Sequence, residues 1–352
     1  MSYEHGWAAI CNQASDRIPR TEYGVEGNLE LLTAVTGVEI TGGESREEAV
    51  RRFVQQWDYS LNWHVTVSRE TILAAGGRVT DMGHAVFASD GSDFTAETNV
   101  AYPDIEEAIR LRPSEEYTFF PRRELVERFE RDYAEVQRRY PGVLSTAGVY
   151  TTLFSGLIEI YGIEQLLLLM GLYEQEFKEV VESYFHWVKQ FFDAFAETSV
   201  PVMMVHDDLC WTEGPVTHPR WYRETIFPYL KRLIEPVKSA GKKVLFTSDG
   251  TIDEFFGDFV ELGIDMLVME PTSDLRRFGE LYGDRCGMAG GIDCRFLTSA
   301  GHVEIEQYMA DLLAWGKKRN NFILASGNHL PASVPVEKAL FYQQMYRKYS
   351  RR

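Results

Sequence analysis

The chain has 352 residues, a formal net charge of −17 and a hydrophobic content of 45%. That hydrophobic content supplies a sizeable core and excludes wholesale disorder, and the negative charge argues against duplex nucleic acid or an anionic membrane surface as the main partner. The four cysteines are scattered without a CxxC pair, no secretory signal is apparent, and the longest strongly apolar run, 166–170, is too short for a membrane span. We therefore expect a soluble, cytoplasmic protein.

The first half of the chain is the less regular one. Gly-, Thr- and Asp-rich stretches at 76–84 and 88–93 are typical of turns between short strands and predict a hairpin insertion. Residues 142–149 predict a short strand and turn. Helical periodicity predicts helices at 28–36, 46–57, 122–140 and, as one long helix or a broken pair, 163–195. The aromatic residues of the last segment are typical of packing against a sheet rather than of a cofactor surface.

From residue 200 onward, short apolar strands alternate with helices. Each strand is a continuous apolar run, which indicates burial on both faces, as in a parallel sheet. The predicted strands end at His206, Thr247, Glu270, Asp293 and Ser326, and the helices that follow them span 219–240, 252–262, 274–282, 303–318 and 336–349. Five such units make half a (β/α)8 barrel or more. An open doubly wound sheet is the alternative, but no Gly-rich phosphate-binding fingerprint follows any strand.

The pattern thus predicts an α/β fold, a TIM-type (β/α)8 barrel with an irregular N-terminal extension and a hairpin insertion. We expect one domain over residues 1–352. Its residues 1–110 would hold the extension, the first barrel elements and the hairpin.

Acidic residues end four successive predicted strands. They are Asp207, Asp208, Asp249, Glu270 and Asp293. Clustered carboxylates raise each other's proton affinity, bind cations or hydrogen-bond a polar substrate. The neighbours Asp207 and Asp208 must point apart, so we expect one to face the barrel mouth while the other caps a helix or holds a loop.

Two histidines and three aromatic residues complete the candidates. His329, on a loop framed by glycine and proline, is typical of an acid–base group or metal ligand, with a backbone-bonded loop histidine as the alternative. His206 adjoins a buried strand and is interpreted as a satisfied core histidine. Trp63, Trp211 and Tyr150 are candidates for stacking walls, with ordinary core packing as the alternative.

Several strand-end motifs together resemble the uroporphyrinogen decarboxylase superfamily, most clearly over residues 140–350. The matching blocks, in order and spacing, are Asp207-Asp-Leu with Glu213-Gly-Pro, Lys243-Val-Leu-Phe-Thr-Ser-Asp-Gly250, Gly290-Gly-Ile-Asp293 and Phe322-Ile-Leu-Ala-Ser-Gly-Asn-His-Leu-Pro331. This group of (β/α)8 barrels includes the porphyrin decarboxylase and methyltransferases that exchange methyl groups with a corrinoid (vitamin B12) protein.

Some members of this group bind zinc, but this sequence lacks the ligands that they use. The thiol-alkylating methyltransferases of the group bind zinc through a His-x-Cys pair and a distant Cys. Here the corresponding positions are Thr247-Ser248-Asp249 and Asn328, so all three ligands are absent. The hard-donor set that the sequence offers instead is Asp249, Glu270 and His329.

The decarboxylase branch fits the sequence poorly. Its Arg-Gln-Ala-Gly-Arg stretch corresponds to residues 16–21, which offer Arg17 and Arg20, and its Gly-His-Gly corresponds to Gly327-Asn328-His329. An acidic barrel mouth is also a poor host for a polyanionic porphyrin.

The resemblance therefore implies a methyltransferase acting between a small methylated substrate and a corrinoid (cobalamin) carried by a partner protein. The expected catalytic residues are Asp249, Glu270 and His329. The expected substrate-binding residues are Asp207, Asp208, Asp293, Asn328, Thr247, Trp63 and Trp211. A homodimer is compatible with the resemblance. The alternatives are a non-catalytic ligand-binding barrel and a decarboxylase of a small carboxylic acid.

Overall fold

The computed structural model describes residues 2–80 and 100–352, together with the backbone of two short strands between them. The helices are α1 (Ser2–Ile10), α2 (Leu29–Thr36), α3 (Gly43–Gln56), α4 (Arg69–Ala74), α5 (Ile105–Arg110), α6 (Pro113–Glu116), α7 (Arg122–Arg139), α8 (Phe154–Tyr161), α9 (Ile163–Leu172), α10 (Glu174–Ala196), α11 (Pro219–Thr225), α12 (Phe227–Ser239), α13 (Phe256–Glu261), α14 (Leu275–Tyr282), α15 (Cys294–Ser299), α16 (His302–Gly316) and α17 (Val336–Tyr349).

The strands are β1 (Leu61–Asn62), β2 (Val86–Phe87), β3 (Asp93–Phe94), β4 (Leu144–Ser145), β5 (Ala147–Val149), β6 (Val202–His206), β7 (Cys210–Trp211), β8 (Gly214–Pro215), β9 (Lys243–Thr247), β10 (Met266–Val268), β11 (Gly287–Ile292) and β12 (Phe322–Ser326). Six of them form a parallel sheet in the order β5-β6-β9-β10-β11-β12. A parallel pair of β1 and β4 extends it, because Thr146 is all that separates β4 from β5.

Backbone hydrogen bonds from residues 19–21 close the sheet into a ring. On one side Thr21 N–H donates to the carbonyl of Leu324 in β12, at 2.9 Å. On the other side Ser60 N–H, next to β1, donates to the carbonyl of Arg20, at 2.7 Å. Eight parallel segments therefore surround one axis, and the predicted (β/α)8 barrel is confirmed.

The strands of the barrel are buried from both sides. All five residues of β6 are buried, as are all five of β12, because side chains of the barrel interior cover one face and the helices cover the other. The long helix α10 buries its apolar stripe, which includes Phe177, Tyr184 and Phe191. These aromatic side chains are core residues, in agreement with the packing role expected from the sequence.

The predicted helix positions agree with the structure, apart from breaks inside two of them and a 3-10 turn, Asp253–Phe255, at the start of the one predicted over 252–262. The segment predicted over 163–195 is a broken pair, α9 and α10, which are separated by Tyr173. The segment predicted over 219–240 divides into α11 and α12 at Ile226, and Pro228 lies in the first turn of α12. Proline lacks the N–H needed to continue a helix but fits the first turn of a new one, which explains the second break.

The predicted hairpin insertion is present as the antiparallel pair β2 and β3, with Val86 opposite Phe94. The predicted turn residues 81–84 and 88–92 lie outside the described residues. Within the described residues, no single helix is long and apolar enough to cross a membrane. Helices α8 and α9 have such a length and composition only together, and they meet at a bend of 109°.

Candidate active site

The loops that follow the barrel strands meet at one end of the barrel, because parallel strands all end on the same side. They enclose a pocket of about 460 Å³, which is in the size range of small-molecule sites. Six of the residues predicted from the sequence line it: Trp211, Asp249, Glu270, Asp293, Asn328 and His329. The other four predicted residues, Asp207, Asp208, Thr247 and Trp63, lie outside this lining.

A group of three potential ligands adjoins the pocket. Ligand atoms of His206, Asp208 and Asp249 all lie within 4.8 Å of one another. His206 is buried, Asp208 is partly exposed, and Asp249 is exposed and lines the pocket. This cation cluster, as we call these three residues, therefore runs from the barrel interior to the pocket surface.

Hydrogen bonds and stacking fix the orientation of His206. Its Nε2 lies 3.1 Å from Oδ1 of Asp208, and its Nδ1 lies 3.0 Å from the backbone carbonyl of Tyr150. The ring of Tyr150 stacks on the imidazole with 3.7 Å between ring centroids. Burial opposes protonation of His206, but Asp208, Asp249 and the Tyr150 carbonyl together outweigh it and raise the pKa of His206 to about 9.

The sequence interpretation of His206 as a satisfied core histidine missed its place beside Asp208. The strand pattern itself indicates that His206 and Asp208 lie side by side. Successive side chains of a strand point to opposite faces, so residues 206 and 208 share a face while residue 207 points away. A histidine two positions before an aspartate at a strand end is thus a sign of a joint site.

Asp207 and Asp208 diverge, as expected for neighbours. Asp207 is fully buried, and its Oδ1 accepts hydrogen bonds from the backbone N–H groups of Leu153 and Ser155, at 3.3 and 2.7 Å, at the start of α8. Burial raises the pKa of Asp207 to about 7. The expectation that Asp207 binds substrate is therefore corrected: its side chain holds a helix terminus and does not reach the pocket.

Glu270 lies on the pocket wall, between two loops that it connects. Its Oε2 accepts a hydrogen bond from the backbone N–H of Gly250, at 2.7 Å, and its Oε1 accepts one from Nδ2 of Asn328, at 3.1 Å. The Asn328 side chain in turn accepts a hydrogen bond from the backbone N–H of His329, at 2.8 Å. These contacts fix the orientation of the Glu270 carboxylate.

The predicted metal set Asp249, Glu270 and His329 does not assemble as one group in the described part of the chain. Glu270 is held by Gly250 and Asn328. His329 lies against the N-terminal segment, where its ring meets that of Tyr23 edge-on, with 5.7 Å between the ring centroids. Asp249 instead joins His206 and Asp208. Strand order accounts for His329, since β6 and β9 are neighbours whereas β9 and β12 are not. Glu270 follows β10, next to β9, but its hydrogen bonds to Gly250 and Asn328 hold it away from the group.

Tyr23 and Gly24 are site residues that the sequence analysis did not identify. The ring of Tyr23 lies 5.5 Å from that of Trp63, and burial together with the charges of Asp249 and Asp208 raises the pKa of its hydroxyl well above the usual value. A Cβ atom on Gly24 would lie 2.2 Å from Nδ1 of His329. These two residues reach the site only because the N-terminal segment closes the barrel next to β12.

Asp293 lines the pocket but is already engaged in a helix cap. Its carboxylate accepts a hydrogen bond from the backbone N–H of Arg295, at 2.8 Å, and pairs with the Arg295 guanidinium at 3.0 Å. Although partial burial acts against it, Arg295 lowers the pKa of Asp293. Thr247 is 5% exposed at the end of β9, whereas Trp211 is 47% exposed at the pocket.

The two N-terminal arginines that the decarboxylase branch would need are occupied. Arg17 pairs with Asp58. Arg20 is fully buried, pairs with Glu22 and donates a hydrogen bond to Gln343. Neither guanidinium is therefore available to bind substrate carboxylates in this arrangement.

The positions of the family's sulfur-ligated zinc site do not fit that metal environment. Thr247, Asp249 and Asn328 carry no sulfur, and Asn328 uses its amide to hold Glu270. Two cysteines line the pocket, but burial raises the pKa of the Cys210 thiol to about 12, and Sγ of Cys294 donates to the carbonyl of His329 at 3.2 Å. These positions therefore offer no thiolate for zinc.

Comparison with solved structures supports the fold. A methyltransferase from Methanosarcina mazei superposes with a TM-score of 0.66 at 14% identity, covering 99% of this chain and 98% of that chain. A D-psicose 3-epimerase solved in the presence of D-fructose has a TM-score of 0.33 at 10% identity, covering 65% of this chain and 82% of that chain. A mannonate dehydratase from Streptococcus suis serotype 2 has a TM-score of 0.31 at 14% identity, covering 59% of this chain and 88% of that chain. The last two likenesses are too weak to carry an argument.

Sequence comparison identifies the family. No curated protein matches the chain. The family model described as uroporphyrinogen decarboxylase (URO-D) matches residues 102–349. This match covers more than half of the chain and includes the ends of strands β6, β9, β10, β11 and β12, which surround the pocket. The chain therefore belongs to the uroporphyrinogen decarboxylase family.

Proposed function

We propose that this protein is a methyltransferase that moves a methyl group between a small methylated compound and a corrinoid carried by a partner protein. The observation that carries the proposal is the acidic pocket. Asp249, Glu270 and Asp293 line it, and Arg295, the one Lys or Arg side chain among the described lining residues, is paired with Asp293. Such a pocket favours a neutral or cationic methyl donor over a polyanion.

The likeness to the Methanosarcina methyltransferase supports the same proposal at the level of the fold. In the methyltransferase branch that the sequence resembles, the corrinoid supplies the cobalt centre that takes up or gives the methyl group. When the donor loses its methyl group, the carbon–heteroatom bond breaks and its electron pair stays on the heteroatom. An ether or thioether donor then develops negative charge, which a proton or a metal cation beside that atom would stabilise, whereas a quaternary ammonium donor leaves as a neutral amine.

We assign the binding of the donor's heteroatom to the side of the pocket where Asp249 connects the cation cluster to the pocket. The carboxylates of Asp208 and Asp249 attract a positive charge, and Asp249 lies at the surface where a donor would rest. Glu270, fixed by Gly250 and Asn328, then positions the donor, and His329 lines the same pocket. Asp293 has a positioning role through Arg295.

A methylated ammonium compound is the donor class that suits these walls best. The exposed face of Trp211 lies beside Asp249 and Glu270 in the lining. Aromatic faces attract quaternary and tertiary ammonium groups, and nearby carboxylates add to that attraction. O-methyl and S-methyl donors of similar size are the comparison compounds in the test below.

The test is a methyl-transfer assay with a chemically reduced corrinoid and a panel of N-, O- and S-methyl donors, followed by the visible spectrum of the cobalt centre. We expect protein-dependent methylation, fastest with a methylated ammonium donor. The Asp249→Asn variant should lose at least tenfold in rate, because it removes a charge from the pocket while keeping the shape of the side chain. The surface variant Glu127→Gln, in a pair that is more than half exposed, serves as the control and should keep the wild-type rate.

Absence of methylation with every donor, from protein shown to be folded by circular dichroism, would refute the proposal. If a donor then binds tightly without turnover, the barrel is a binding protein. Release of CO2 from a small carboxylic acid, with no methyl transfer, would instead identify a decarboxylase.

A further inference from the structure

The cation cluster has features that the proposed methyl transfer does not explain by itself. His206 and Asp208 come from the end of β6, and Asp249 comes from the loop after β9, its neighbour in the sheet. Their ligand atoms lie within 4.8 Å of one another. Two ligands bound to one ion at about 2.1 Å are at most about 4.2 Å apart. In a tetrahedral site the same bond lengths place ligand atoms about 3.4 Å apart, so side-chain movements of about 1–1.5 Å would bring all three atoms around one ion.

The hydrogen bonds of His206 add an independent argument. The carbonyl oxygen of Tyr150 can only accept, so Nδ1 of His206 must carry the proton in the 3.0 Å contact between them. Nε2 is then the ring nitrogen that points at Oδ1 of Asp208, 3.1 Å away. The imidazole and the carboxylate therefore direct their ligand atoms toward the same position, on the side of the ring opposite the Tyr150 carbonyl.

The surroundings of His206 match those of a metal-bound histidine. Histidines that bind metals through one ring nitrogen usually donate the other N–H to a backbone carbonyl or carboxylate, which fixes the ring and its tautomer. Tyr150 provides that carbonyl and also stacks on the ring, at 3.7 Å between centroids. The second ligand is held in place too, since Oδ1 of Asp208 accepts a hydrogen bond from the backbone N–H of Asp249, at 2.9 Å.

The donor types define the class of ion. One imidazole nitrogen and two carboxylates suit Zn²⁺, Mn²⁺, Fe²⁺ or Co²⁺, and a site without sulfur does not select for soft ions. Three protein ligands with one exposed member leave coordination positions open to water or substrate, as in catalytic metal sites. The exposed Asp249 faces the pocket, so those positions would open toward it.

We infer that His206, Asp208 and Asp249 bind one divalent transition-metal ion through nitrogen and oxygen, in place of the sulfur-ligated zinc of the thiol-alkylating relatives. Two of the three ligands come from a strand end that the family's His-x-Cys pattern does not use. The inference does not rest on the proposed function, because metal binding can be measured without any methyl donor. When bound, the ion would act as a Lewis acid at the pocket wall.

The test uses the full-length protein, stripped of metal with a chelator and titrated with Zn²⁺ by calorimetry and with Co²⁺ by visible absorption. We expect saturable binding of one ion per chain and a Co²⁺ spectrum without a thiolate-to-metal charge-transfer band. Asp249→Asn and His206→Gln should each weaken binding at least tenfold. Because Asp249 is exposed, its variant should fold normally even if the buried histidine variant does not.

Two matched controls separate this site from its neighbours. Glu127→Gln removes a surface carboxylate that does not line the pocket and Cys294→Ser removes a pocket thiol, and both should leave affinity within twofold of the wild type. The inference is overturned if the stripped protein binds neither ion, if Asp249→Asn binds as tightly as the wild type, or if Co²⁺ shows thiolate ligation. If the stripped protein binds neither ion, a proton on Nε2 of His206 is what balances the charge of Asp208.

Discussion

At the scale of single residues, Asp207 and Asp208 show how adjacent, identical side chains acquire different tasks. Asp208 faces His206 and the pocket side, whereas Asp207 is buried against the start of α8. Ser155 connects the two, since its N–H donates to Asp207 and its Oγ accepts from the N–H of Asp208, at 2.7 Å. The capping of α8 therefore also positions the cation cluster.

We expect Asp207→Ala to destabilise the fold. The change leaves the buried N–H groups of Leu153 and Ser155 without an acceptor, at a total cost of about 2–4 kcal/mol in the free energy of unfolding. Urea denaturation followed by circular dichroism measures this. Asp104→Ala, which removes the exposed cap of α5, is the comparison and should cost only about 1 kcal/mol. Equal losses in the two variants would contradict the assigned role.

Glu159 provides a prediction about pH. The residue is 2% exposed within α8, and burial raises its pKa to about 7, with Arg69 acting in the opposite direction. A carboxyl group whose pKa is raised by folding stabilises the protein below its unfolded pKa, and that stability is lost as the pH rises through the folded value. The window is therefore from about pH 4.5 to pH 7.

Glu159→Gln removes this titration. Relative to the wild type, the variant should gain about 2–3 kcal/mol in the free energy of unfolding between pH 4 and pH 8. Urea melts of both proteins at several pH values give the difference. A difference that stays constant with pH, or that falls as pH rises, would show that Glu159 does not carry the raised pKa.

At the scale of elements, the loop after β9 determines the shape of the pocket wall. Gly250 has a φ of +79°, and a Cβ atom there would lie 2.4 Å from the carbonyl oxygen of Trp211. Its N–H also holds Glu270. Both the backbone angle and the close approach require glycine at this position.

Gly250→Ala should therefore displace the β7–β8 hairpin or the loop after β9. We expect a loss of about 1–3 kcal/mol in the free energy of unfolding. Metal and substrate binding should also become weaker. The control is Gly171→Ala in α9, where a Cβ atom has nothing within 4 Å. Alanine favours a helix, so this variant should be neutral or slightly more stable. Thermal melts and the Co²⁺ titration together test the pair. A Gly250 variant that matches the control in both measurements would refute the argument.

At the scale of the whole molecule, the barrel closes through a buried polar network around the N-terminal segment. Arg20 and Glu22 are both fully buried and paired. Glu22 also accepts hydrogen bonds from Nε1 of Trp57 and from the hydroxyl of Tyr342, both at 3.1 Å, and from the N–H of Ser326 in β12, at 2.9 Å. The network thus connects α3, α17 and β12 to the closing segment, which also carries Tyr23 into the site.

We expect Arg20→Met to cost about 3–5 kcal/mol in the free energy of unfolding, because it leaves the buried charge of Glu22 uncompensated. The double variant Arg20→Met/Glu22→Gln should recover part of this loss, since no net charge then remains buried. Arg123→Met, at a pair whose arginine is 90% exposed, should cause no measurable change. Chemical denaturation of the four proteins tests the network. An Arg20→Met variant with the same free energy of unfolding as the wild type would disprove the role of the network in closing the barrel.

Much of the architecture could be predicted because it depends on local pattern. Continuous apolar runs such as 202–205 and 322–325 fit burial between two layers, and the helical period between them is also a local property. The location of the pocket followed as well, since parallel strands end on one side. The sequence does not decide between one helix and a broken pair over 163–195, and it does not predict the break at Ile226, because packing decides where neighbouring helical turns separate.

The sequence by itself determined that this chain forms a barrel of its family and that acidic strand ends surround the pocket, since strand burial and strand-end chemistry depend on residues close together in the chain. Only the tertiary structure decided which of those groups act together. Closure of the ring placed Tyr23 beside His329, and the neighbouring positions of β6 and β9 joined His206 and Asp208 to Asp249. The physical reason is that a binding site depends on distances of a few ångströms between side chains far apart in sequence, which strand order and side-chain direction fix and local pattern does not.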